Sequence, residues 1–196
     1  MTAAAFLLIA LVTGANGPQD CPMHARDTAG SAPAADTTAA RSPYSGEESR
    51  AIKALSEADL KAYRDGTGMG LARPAELNQY PGPRHVLDNA EALDLSAAQR
   101  AEIEASFRAM KADAMALGRQ VVEAEGRLDA LFADRVASPA SVSGLTHQIA
   151  ELQGRLRAVH LRAHVETRAR LTPEQVEKYV ALRGYGPASH QDHAGH

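Results

Sequence analysis

Tryptophan is absent from this chain and cysteine occurs once. A single thiol, Cys21, excludes an internal disulfide and leaves that side chain free, paired between chains or on a metal. Aromatic residues make up only 4% of the sequence, while Ala, Leu, Glu, Arg and Gln dominate. That mixture favours helices and gives little to strands, so an all-α fold is expected. Neither sign of charge prevails. The formal net charge is -3, and the basic residues are interleaved with acids instead of forming one face, which excludes nucleic acid as a partner. There is no Gly-rich phosphate loop, no nucleophile elbow and no His-Glu-x-x-His box, and the lone Cys has no fixed base near it, so catalysis is not expected.

Long apolar runs are also missing. The one stretch of that kind, Ala3 to Val12, is too short to span a bilayer and is followed by small residues, as in a secretory signal, so residues 1–17 are expected to direct export. Residues 18–45 are rich in Ala, Ser, Thr, Pro and Gly without apolar period, which predicts a flexible linker. A helical domain is expected over 46–185, with a His-bearing tail over 186–196.

What is present is a repeated way of starting a helix. In "LSAAQ" and "LTPEQ", Ser96 and Thr172 can cap a helix through their hydroxyls, while Gln99 and Gln175 reach back to the cap amide. A weaker copy, "LSEAD", places Ser56 before Asp59. Behind the first box, Ile103, Phe107, Met110, Ala114, Leu117, Val121, Ala124, Leu128 and Leu131 alternate spacings of four and three, an a/d seam on one long helix. After "RVASPAS", the positions Val142, Leu145, Ile149, Leu152, Leu156, Val159 and Ala163 repeat the rhythm. Two such seams joined by a short polar loop predict a long antiparallel helical hairpin with short flanking helices. A two-helix hairpin buries only one stripe, so the flanking helices or a second copy must cover the rest, and a homodimer is expected.

The paired boxes bracketing a long helical pair, behind an export signal, resemble the LTxxQ proteins of the Spy/CpxP type. The likeness runs from about Glu47 to Tyr185, and "GMGLARPAELNQYPGPRHVL" is similar to the segment before the hairpin in metal-resistance members. The resemblance implies a periplasmic, all-helical, dimeric protein. It also implies one of two functions: heavy-metal sensing or sequestration, or ATP-independent chaperoning of unfolded client proteins. Sensing would involve a membrane-bound signalling partner. The chain is less basic and richer in His than the chaperone branch. The His pair of the sensor branch is represented near the hairpin start by His85, with Asp88 one turn later.

His160 and His164 lie four apart on the second long helix, so both imidazoles leave one face and suit a single zinc, copper, nickel or cobalt ion. Both follow seam residues directly, which places them on an accessible flank, with His85 or Glu104 as candidates for a third ligand. Two solvated histidines are the other reading of the same spacing. "CPMH" offers Cys21, Met23 and His24 as soft ligands. The C-terminal "SHQDHAGH" spaces His190, His193 and His196 evenly, either as a metal-collecting tail or as an inert end. Met110 belongs to the seam and Met115 borders it, so both read as core; Met69, between two glycines, does not.

Overall fold

Ser56, Ser96, Ser138 and Thr172 all lie in extended backbone, and each hydroxyl accepts from the amide three residues on while the side chain there bonds the cap's own amide. These four complete capping boxes open α1 (Glu57–Asp65), α4 (Ala97–Ala133), α5 (Pro139–Arg170) and α6 (Pro173–Leu182). The box at Ser138 and Ser141 was not foreseen, because serine is not the usual long acceptor at its second position. Two shorter helices, α2 (Arg73–Leu77) and α3 (Pro83–Asp88), begin with proline in their first turn, where the missing N–H costs nothing. A 3-10 turn, Glu47–Ser49, precedes α1. The computed structural model describes residues 41–185, and among these every regular element is helical. No described helix is long and apolar enough to cross a membrane.

The two long helices pack along each other, joined by the short link Asp134–Ser138. Their shared interior takes Ala114, Leu117, Val121 and Ala124 from α4 and Ile149, Leu152 and Leu156 from α5, with Leu55, Leu60 and Tyr63 closing it from the side of α1. Each fully buried aliphatic chain here contributes about 1.5–3 kcal/mol. The closest approach is at Gly118. A Cβ placed on it would stand 2.2 Å from the Tyr63 carbonyl oxygen, so the crossing of α1 over α4 depends on that residue having no side chain. Towards the link the seam is barely covered. Leu128, Leu131, Val142 and Leu145 are only half-buried, and Phe132 and Val136 are 60% and 63% exposed.

At the other end a second interior gathers Val86, Leu93, Ile103, Leu171, Val176 and Tyr179. Here the two glutamines of the sequence boxes meet. Gln99 Nε2 donates to Gln175 Oε1 and to the Arg170 carbonyl, both at 2.8 Å. Gln175 Nε2 donates to Gln99 Oε1 and to the Leu93 carbonyl, both at 3.2 Å. Gln175 is buried, and every polar atom it takes from water finds a partner. The repeated box therefore has a structural use beyond starting helices: it locks the start of α4 against the start of α6.

Candidate metal centre

Behind that lock, α3, α4 and α5 enclose a cavity of about 290 Å3 together with the loop that follows α1. His85 comes from α3, His160 and His164 from successive turns of α5, and Met110, Phe107 and Lys111 from α4. The i, i+4 spacing on α5 does bring its two imidazoles to one space, and His85 lines the same cavity. The expected exposure of the pair needs correction. His160 is only 5% exposed, because α4 and the α3 region cover the flank that the seam alone leaves open. Its Nε2 is buried with no hydrogen-bond partner, a state that normally costs a polar group about 1–3 kcal/mol. Burial, with the charge of His164 adding to it, lowers the His160 pKa below the ordinary imidazole value, so the ring is neutral at pH 7.

His164 is held differently. Its Nδ1 lies 2.7 Å from the Tyr80 carbonyl oxygen and 3.7 Å from Glu76 Oε2. In the neutral ring, Nδ1–H donates to Tyr80, which leaves Nε2 as the bare, lone-pair nitrogen. The ring rests against Gly82, where a Cβ would lie 3.0 Å from its Cε1 and 3.1 Å from its Nε2. A larger residue at position 82 would have to shift the imidazole. Glu76 anchors the support from α2: it accepts from the Gly82 amide at 3.2 Å, the Tyr179 hydroxyl at 2.5 Å, the Tyr185 hydroxyl at 3.2 Å and Arg183 Nε at 3.3 Å. Burial and this carboxylate push the Tyr179 phenol far above its ordinary pKa, so it remains a donor. Glu76, Tyr80 and Gly82 were not among the residues singled out from the sequence. A Pro-flanked Gly followed by a His carries too little signal to foresee the seat it builds.

The other candidates divide. Glu104 does not line the cavity; it lies 3.5 Å from Arg108 on its own helix. Asp88 is taken by Arg84, whose Nε donates to both of its oxygens at 2.9 Å. Met69, in the left-handed region at φ 46, stands on a neighbouring cleft that shares His85 and His164. Cys21, Met23, His24, His190, His193 and His196 lie outside the described residues, as do the expected signal segment and almost all of the expected linker. Among the described residues no group of three His, Cys, Asp or Glu side chains stands in an arrangement that could hold a metal ion. The cavity supplies an orphaned imidazole nitrogen, a second imidazole with a fixed tautomer, a third imidazole and a thioether. These are donors suited to a transition metal. No protein-family model, curated protein or solved structure matches the chain.

Proposed function

We propose that this chain is a periplasmic metal-binding stress or resistance protein of the Spy/CpxP kind, taking a zinc, copper, nickel or cobalt ion into the cavity between α3, α4 and α5. The observation that carries the reading is the unpartnered, buried Nε2 of His160, one helical turn from the oriented ring of His164. A group kept dry without a partner is costly, and an ion bound there removes the cost. On this reading the long pair is an antiparallel hairpin, the protein works as a homodimer after export, and it answers to a membrane-bound signalling partner. A folded site suits sensing, because an ion bridging α5 to α3 restrains one element against another, while ligands on flexible ends only collect ions.

The half-covered seam near the link, with Phe132 and Val136 exposed, favours a second reading as an ATP-independent chaperone that holds unfolded clients on that surface. Calorimetric titration with the four metals separates the two. The metal reading expects at least one site tighter than micromolar that disappears in a His160→Ala/His164→Ala variant, and no binding tighter than millimolar would sink it. Suppression of aggregation of an unrelated client at stoichiometric amounts, lost on Phe132→Ser, would support the chaperone instead.

A further inference from the structure

The lining of the cavity says more about the ion than the histidines alone. We infer that the site is built for a soft monovalent d10 ion, Cu(I) or Ag(I), bound by His160, His164 and the Met110 thioether in preference to any divalent ion. This deepens the metal reading above and rests on it. All the donors are neutral: imidazoles and one thioether, with no carboxylate or thiolate in the lining. The fixed charges that do line it are positive. Arg84 is matched by Asp88, but Lys111 makes no ion pair among the described residues. Of the acids around the cavity, Glu76 supports His164 from 3.7 Å and already faces Arg183, and Asp65, next to the lining Gly66 and within reach of the Lys111 charge, is paired with Lys61.

In such a setting the charge of the ion decides. The cost of taking an ion out of water grows with the square of its charge, so a divalent ion pays roughly four times what a monovalent one pays, and neutral ligands repay it only through ion–dipole and coordinate bonds, without the attraction that a carboxylate or thiolate would add. Lys111 adds repulsion that is twice as large for the divalent ion. Coordination number points the same way. Zinc wants four ligands in a tetrahedron, and no three of the usual ligands are arranged for it here. A d10 monovalent ion is satisfied by two or three soft donors, and thioethers select it. Met110 is half-buried and is one of the residues lining the cavity, the one thioether there beside His160 and His164.

The test uses the full chain carrying Cys21→Ser and Met23→Leu, which removes the soft ligands of the N-terminal segment. Anaerobic titration of ascorbate-reduced copper against a chromophoric Cu(I) chelator, and of zinc against a zinc indicator, is carried out with and without Met110→Leu. The expected result is a His160-dependent Cu(I) site that weakens at least tenfold in Met110→Leu while zinc binding changes less than twofold. Copper-edge X-ray absorption of the chain with Met110 intact should show one sulfur neighbour beside nitrogens, a readout that needs no folded variant. A His160-dependent site that prefers zinc, nickel or cobalt, or a Cu(I) site with nitrogen neighbours only, overturns this inference and leaves the metal reading standing. Absence of any His160-dependent metal overturns both.

Discussion

Replacing Gly118 by Ala tests the packing that positions everything else. The new Cβ would meet three backbone atoms of Tyr63, at 2.2, 2.9 and 3.1 Å. Non-bonded carbon and oxygen atoms need about 3.5 Å, so α1 must withdraw by about 1 Å or more. Overpacking of this kind costs about 1–3 kcal/mol. If α1 lifts further, Leu60 and Tyr63, now 4% and 9% exposed, lose part of a burial worth about 1.5–3 kcal/mol each. Alanine in a helix interior returns about 1 kcal/mol, which leaves a net loss of about 2–4 kcal/mol. At about 3 °C per kcal/mol for a chain of this size, the melting temperature should fall by about 6–12 °C. Gly154, in the middle of α5, is the control. Nothing lies within 4 Å of a Cβ there, so Gly154→Ala should raise the melting temperature by about 2 °C through helix propensity alone. Thermal denaturation by circular dichroism reads both. If Gly118→Ala is neutral or stabilising like its control, α1 does not cross α4 at this point and the packing argued here is wrong.

The remaining predictions follow from single contacts. Thr172→Ala should cost about 1 kcal/mol in chemical denaturation by loss of a cap. Gln175→Ala should cost about 1–3 kcal/mol because it strands the buried Leu93 carbonyl and the half-buried amide of Gln99, and combining it with Gln99→Ala should cost less than the sum of the two, since both share one set of bonds. Full additivity would mean that the two boxes do not touch. Glu125 has its pKa raised by burial alone. The folded state therefore binds more protons than the unfolded one, and this side chain lowers stability as pH rises through its folded pKa. Glu125→Gln should stabilise at pH 7, with a gain that shrinks as pH drops below the ordinary carboxylate range; a gain that is the same at pH 4 would contradict the sign.

Helix starts were legible in the sequence because a capping box is local chemistry, complete within four residues. That the boxes at Ser96 and Thr172 dock on each other was not, since Gln99 and Gln175 are 76 positions apart and no periodicity joins them. The α4 and α5 seams were read correctly as one shared face, but the depth of burial along them was not: Ile103 is fully buried while Phe107, one turn further on, lines a cavity. Gly118 looks in the sequence like Gly126, Gly144 or Gly154, each a helical glycine with a small propensity cost, and only the crossing helix distinguishes it. The spacing of His160 and His164 announced a shared direction. Whether that direction was wet or dry depended on α3, whose six residues carry no pattern that would place them over α5.

The central claim is that an ion binds the folded arrangement of α5 and its neighbours, and a thermal shift measures it most directly. At a free metal concentration one hundred times Kd, binding to the folded state alone adds about 2.7 kcal/mol, or about 8 °C. Melting of the full chain with and without zinc, and with and without ascorbate-reduced copper under anaerobic conditions, should show such a rise for at least one of the two. A chain truncated after Gly186 should bind fewer ions yet keep the rise, because ligands that work equally well in the unfolded chain add nothing to stability. His160→Ala/His164→Ala should abolish it, each shift being taken from that variant's own metal-free melting temperature. If the double variant keeps the full shift, the two histidines of α5 are not the metal centre and the account fails.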